Sequence, residues 1–154
     1  MTTTSKSYDF PLALRWLAHR RTMLTVPGKE ELEVATPPEF KGGVEGVWSP
    51  EDLLVGSVTS CFAVTLLAVA DRRHVPIRGL DIRASGHVEQ RRDGRFGFTE
   101  IVLHVMLDTE RGCDADARAA VEAAEAGCLV AVSLDFPVRI ELEVRAAPLL
   151  EAAL

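Results

Sequence analysis

Cysteine is scarce in this sequence: Cys61, Cys113 and Cys128 are the only three among 154 residues. So small and odd a number excludes the disulfide framework of a small secreted domain. Basic charge is also short. Seventeen Lys and Arg stand against 23 Asp and Glu, a formal net charge of −6. That argues against nucleic acid as a partner, which needs a basic stripe to displace counterions. It argues equally against docking on an anionic membrane. No apolar run is long enough for a bilayer. The longest, Cys61 to Ala70, contains Thr65 and is closed by Asp71, Arg72 and Arg73, whereas a span takes about 20 apolar residues. The opening MTTTSKSYDF has no apolar core of the signal-peptide kind, so the expected location is the cytoplasm. His19, His74, His87 and His104 are scattered, and none stands at zinc-finger spacing from a cysteine. A metal site is therefore not expected.

What is present is enough for a core. At 47% hydrophobic and 26% charged, the composition is that of one globular domain over residues 1–154, with residues 1–9 polar and loose. A chain of this length buries about 70% of its unfolded surface and needs no staple. Ala13 to Val26 reads as two strands around a turn near His19–Arg21, closed by Pro27–Gly28. Leu32 and Val34 alternate with polar neighbours in a third strand, which Pro37–Pro38 ends.

Lys41 to Trp48 is a glycine-rich loop. A clear helix start follows it: Ser49 to cap, Pro50 at the first helical position, and Glu51 and Asp52 on the positive end of the dipole. The helix should run to about Arg73. Its later turns are apolar around nearly the whole circumference, the pattern of a buried central helix.

Further strands follow. Leu80 to Val88 alternates, Asp93–Gly94 signals a hairpin, and Phe96 to Leu107 returns with a phase shift at Thr99–Glu100 that predicts a bulge or a bend. Asp114 to about Leu134 reads as a second helix, with Cys113 in a loop or cap before it. Val138 to Val144 is a last half-exposed strand. This order predicts an α+β domain, an antiparallel sheet packed on a long central helix and a second helix.

Cys61 and Cys128 thus fall on two core helices, each in small-residue surroundings. They read either as two buried hydrophobes or as thiols within the roughly 4.4–6.8 Å between Cα atoms that a disulfide needs. Three further features stand together: Trp48-Ser49-Pro50-Glu51-Asp52-Leu53-Leu54, then Ser60-Cys61-Phe62 with the cysteine ten residues after Glu51, then Ala126-Gly127-Cys128. Jointly they resemble the OsmC/Ohr family of thiol peroxidases, and the element order matches over roughly residues 12–145.

The resemblance implies an intertwined homodimer that reduces organic hydroperoxides. Cys61 would attack the peroxide and become a sulfenic acid, and Cys128 would resolve it to a disulfide. No resident cofactor is implied; an external dithiol or lipoyl-type reductant regenerates the pair. The resemblance also implies an Arg from the N-terminal hairpin beside the thiolate, with the helix-start Glu orienting it. Glu51 matches that Glu, and Arg21 is favoured for the Arg, with Arg20 in reserve.

A guanidinium suits the task, because it stays charged and can bond a thiolate and a carboxylate together. Ten residues of straight helix put Glu51 about 15 Å from Cys61, so Glu51 serves either its own site, if the helix start bends, or the partner's in the implied intertwined dimer. Leu129 departs from the family, which usually has Pro after the second cysteine. The competing reading is a stress-associated or small-molecule-binding protein of the same fold without efficient peroxidase activity.

Overall fold

The computed structural model describes residues 6–146. They form two compact units, divided between Leu53 and Leu54. Of the N-terminus expected to be loose, residues 1–5 lie outside the described residues, and residues 6–12 carry no regular secondary structure.

The first unit is a three-stranded antiparallel meander of β1 (Ala13–Ala18), β2 (Arg21–Thr25) and β3 (Leu32–Ala35). The β1–β2 turn is His19–Arg20, and His19 takes a positive φ of 49°. The Trp16 indole N–H, donating to the His19 carbonyl at 3.0 Å, holds that turn. Arg21 sits opposite Ala18 on one side and Ala35 on the other.

This unit also contains the start of α1 (Pro50–Arg73). Ser49 caps it as its sequence implies. The Asp52 N–H donates to Ser49 Oγ at 3.0 Å, while the Ser49 N–H and hydroxyl donate to Asp52 Oδ2 at 2.9 and 2.8 Å. This reciprocal capping satisfies orphan donors at both positions. At the far end His74 adopts φ 55°. Its N–H donates to the Asp71 carbonyl, and the Val75 N–H donates to the Ala70 carbonyl, a left-handed cap that stops the helix.

The second unit holds β4 (Ile77–Gln90), β5 (Phe96–Thr109), α2 (Asp114–Gly127) and β6 (Val138–Ala146). The sheet order is β4-β5-β6. Asp93–Gly94 makes the expected hairpin, with Gly94 at φ 83°. The predicted bulge is also there: His87 pairs Glu100 and Val88 pairs Phe98, leaving Thr99 unmatched.

The core lies between the inward side chains of β5 (Ile101, Leu103, Val105, Leu107), one stripe of α1 (Val58, Phe62, Leu66) and the small face of α2 (Ala117, Ala120, Val121, Ala124). Alanines on that face let the helix lie close to the sheet. Glycine is required at residue 86, where a Cβ would stand 2.6 Å from a Phe98 ring carbon and 2.7 Å from a Val55 methyl.

Three readings from sequence are corrected. The second sheet is mixed: β6 runs parallel to β5. Parallel neighbours need a crossover of a dozen or more residues, and α2 with its following turns supplies it. The second helix ends at Gly127, not near Leu134. Cys128 follows it in extended conformation (φ −71°, ψ 103°), and only a short 3-10 turn, Ala131–Ser133, comes after.

The third correction concerns α1, which buries one stripe, not its whole circumference. Val64 is 63% exposed and Leu67 46%. By length and apolar composition this helix would suffice to cross a bilayer, being longer than the run that ends at Ala70. Its stripe of Val58, Phe62 and Leu66 is instead built into the core of a sheet-and-helix unit.

Candidate active site

Cys61 lies in the middle of α1, one residue before the fully buried Phe62. It is therefore on the shoulder of the buried stripe and is only partly buried. Cys128 is 1% exposed. The end of α2 at Gly127 leaves Cys128 near enough to Cys61 for each thiol to act on the other's ionisation, and both thiols are free.

The turn after α2 has a second effect. Cys128 accepts the Val132 N–H at its carbonyl, and the Val130 and Ala131 carbonyls accept from Ser133 and Leu134. The N–H groups opening this turn are thus free to meet the sulfurs. Burial is the largest single influence on the Cys61 thiol and pushes it up. It is outweighed by the Val130 N–H, the Cys128 thiol, the Thr65 hydroxyl and the Leu129 N–H acting together, and Cys61 is held below the ordinary cysteine value. For Cys128, burial again leads and pushes the thiol up. The Ala131 N–H opposes, but the hydrogen bond to Cys61 and repulsion between the sulfurs add to the rise. Of the two sulfurs, Cys61 is the one its surroundings favour as the thiolate.

Thr65 and the backbone donors of Leu129 and Val130 escape a motif search. Thr65 was detectable from its spacing, since i and i+4 on a helix share a face. The Leu129 N–H is visible only through a substitution. Proline, expected there from the resemblance, has no N–H to give.

The other two candidates lie in the first unit. Arg21 Nε donates to Glu33 Oε1 on β3 at 2.5 Å. That contact raises the Arg21 guanidinium and lowers the Glu33 carboxyl. Arg20 donates to the Lys41 carbonyl. Glu51 has its Oε2 buried without a hydrogen-bond partner among the described residues. The ion pair that Arg21 forms is thus with Glu33. Cys113 stands at the N-cap of α2, partly buried, and makes no side-chain cap bond.

A cavity of about 240 Å³ lies beside Cys128, lined by Val58 and Phe62 of α1, Leu103 of β5, Val138 and Ile140 of β6, and Ala131, Val132, Phe136 and Pro137 between α2 and β6. Glu125 is the one carboxylate in its wall.

The model of the family described as OsmC-like protein matches residues 43–143. The chain belongs to this family. The match takes in the capped start of α1, both Cys61 and Cys128, and most of β6. Among relatives of this OsmC-like protein is the uncharacterized protein YmaD of Bacillus subtilis (strain 168), 23% identical over 141 residues, covering 88% of this chain and 93% of YmaD.

Solved structures share the fold. An OsmC-like protein of unknown function from Vibrio cholerae is 18% identical with a TM-score of 0.79, covering 89% of this chain and all (100%) of that one. An organic hydroperoxide resistance protein from Elizabethkingia anophelis, crystallised with thiocyanate bound, is 20% identical with a TM-score of 0.74, covering 94% and 100%. The organic hydroperoxide resistance protein OhrB of Bacillus subtilis is 20% identical with a TM-score of 0.64, covering 90% and 98%.

One prediction arises directly from the donor set. Thr65→Val keeps the shape of the side chain and removes its hydroxyl. The pH midpoint of Cys61 alkylation by iodoacetamide should move up toward the free-cysteine value of about 8.5, while the fold persists. Peptide mapping of the alkylated protein across pH measures it.

Proposed function

We propose that this OsmC-like protein is a thiol-dependent peroxidase for organic hydroperoxides, working in the cytoplasm. The observation that carries the reading is the placement of two free cysteines of the family motif, Cys61 in α1 and Cys128 just after α2, near enough to act on each other's ionisation, with Cys61 favoured as the thiolate. The thiolate, not the thiol, is the nucleophile. Cys61 attacks the outer peroxide oxygen, the O–O bond breaks, and the alcohol departs after taking up a proton. Cys61 is left as a sulfenic acid. The Cys128 thiol, already close, condenses with it, releasing water and closing a disulfide. A dithiol, which a lipoyl group would supply, returns both cysteines to thiols. Arg21 and Glu51 are proposed as the activating and orienting pair, to be made across a homodimer.

The homodimer is supported by exposed apolar side chains. Trp16 on β1 is 69% exposed, Leu14 lies exposed on the same face of that strand, and Val64 and Leu67 stand out from α1. Such apolar surface commonly marks an interface. Light scattering at micromolar concentration should show a dimer, and a stable monomer would contradict it.

The second reading, a binding or stress-associated protein without efficient turnover, has one observation in its favour. Arg21 is engaged by Glu33, and Glu51 Oε2 is buried without a hydrogen-bond partner among the described residues. Steady-state consumption of cumene hydroperoxide separates the two. Peroxidase function predicts sustained turnover with dihydrolipoamide, compared with dithiothreitol and thioredoxin as reductants. Consumption no faster than the protein-free control with all three would favour the binding protein.

A further inference from the structure

The two sulfurs of the pair differ in what surrounds them, and the difference bears on how an oxidised pair would be reopened. Of the two, Cys128 lines the apolar cavity and Cys61 does not. The cavity wall is apolar along Phe62, Val132, Phe136 and Ile140, and its single carboxylate is Glu125, an exposed residue near the end of α2.

We propose that this cavity is the port through which the reductant enters, and that the reducing thiol attacks Sγ of Cys128 while Cys61 leaves. The inference rests on the disulfide chemistry proposed above. It adds the route, the sulfur attacked and the charge class of reductant admitted: a thiol on an uncharged, apolar carrier, with anionic thiols disfavoured by Glu125.

The chemistry agrees with the geometry. In thiol–disulfide exchange the sulfur with the lower pKa is the better leaving group. The N–H groups of Val130 and Leu129 and the Thr65 hydroxyl that hold Cys61 low are in place to receive the departing charge. The reductant thiolate forms a bond to Cys128 Sγ, the Cys61–Cys128 bond breaks, and its electron pair leaves on Cys61. The second thiol of the dithiol then attacks the reductant's own sulfur in the mixed disulfide. That closes a cyclic disulfide and releases Cys128, which regains a proton. Two electrons pass from dithiol to protein, and the dithiol gives up two protons.

The test fixes which sulfur is attacked. Full-length Cys113→Ser protein is oxidised with diamide, which closes the bond without a peroxide. It is then exposed briefly to benzyl mercaptan and quenched with N-ethylmaleimide, and the peptides are mapped by mass. The expected result is benzyl mercaptan on Cys128 and maleimide on Cys61. The reverse pattern, or failure of diamide to join the two cysteines, overturns the inference.

The route is tested separately by rates of reduction. Dihydrolipoamide should outpace the anionic dihydrolipoate several-fold, Glu125→Gln should narrow that gap, and Val132→Trp should slow both by narrowing the mouth. A gap unchanged by Glu125→Gln, with no slowing in Val132→Trp, means the cavity is not the port. Because diamide replaces the peroxide, a protein that resists cumene hydroperoxide yet gives the Cys128 adduct would refute the peroxidase reading and leave this inference standing.

Discussion

Replacing Cys61 by serine will bring hydroperoxide consumption down to the protein-free rate, the largest functional effect expected of any single change. A serine hydroxyl is scarcely ionised at neutral pH. The donors around Cys61 stabilise an anion but provide no base to generate one. Replacing Cys128 acts at a different step. Cys128→Ser and Cys128→Ala should both retain a first, stoichiometric oxidation of Cys61, then stall because the sulfenic acid has no partner. Excess peroxide should carry it on to sulfinic acid.

The two Cys128 variants should also differ from each other. Serine keeps a hydroxyl able to donate to the Cys61 thiolate, whereas alanine removes the donor. The alanine variant should therefore oxidise more slowly at pH 7 and recover as pH rises and Cys61 ionises without help. The Cys128 thiol lowers Cys61, so its loss raises Cys61. Single-turnover peroxide loss as a function of pH, together with the mass of the product, measures both variants.

Phe62→Ala is expected to have the largest effect on stability. Phe62 is 1% exposed and packs in the cluster that joins α1 to β5 and α2. Truncating a buried phenylalanine costs about 3–5 kcal/mol, a large part of the roughly 5–15 kcal/mol by which domains are stable. For a chain of this size each kcal/mol lowers Tm by about 2–4 °C, so a fall of about 6–20 °C should appear in a thermal melt. The same position faces the cavity, so the loss should not be compensated by collapse of the neighbouring side chains.

How much of this was legible in the sequence depends on which physical signal each feature left. The start of α1 was legible because capping is local: Ser49 and Asp52 satisfy one another within four residues. The bulge at Thr99 was legible because one extra residue reverses the alternation of Phe96 and Phe98 against Ile101 and Leu103. The direction of β6 was not, since alternation gives the face of a strand and says nothing of its polarity. The end of α2 was hidden because Ala131 and Val132 continue the helical apolar stripe of Ala117, Val121, Ala124 and Cys128 beyond Gly127, although the backbone does not follow.

The face of α1 that carries Val64 and Leu67 was read as buried, because hydrophobicity registers the need for cover and not the identity of what covers it. The site shows the same division. Cys61 and Cys128 were nameable through the family resemblance of the motifs around them. The backbone donors that act on Cys61, those of Leu129 and Val130, belong to a turn whose geometry forms only when α2 stops short.

The most direct test of the account is the fate of the thiols when the reduced protein meets one equivalent of cumene hydroperoxide. The account predicts that Cys61 and Cys128 are lost together within one turnover. The protein mass should fall by two hydrogens, with a Cys61–Cys128 linked peptide after digestion and Cys113 still alkylatable. Retention of both thiols, or a stable oxygen adduct on Cys61 with Cys128 still free, would contradict it.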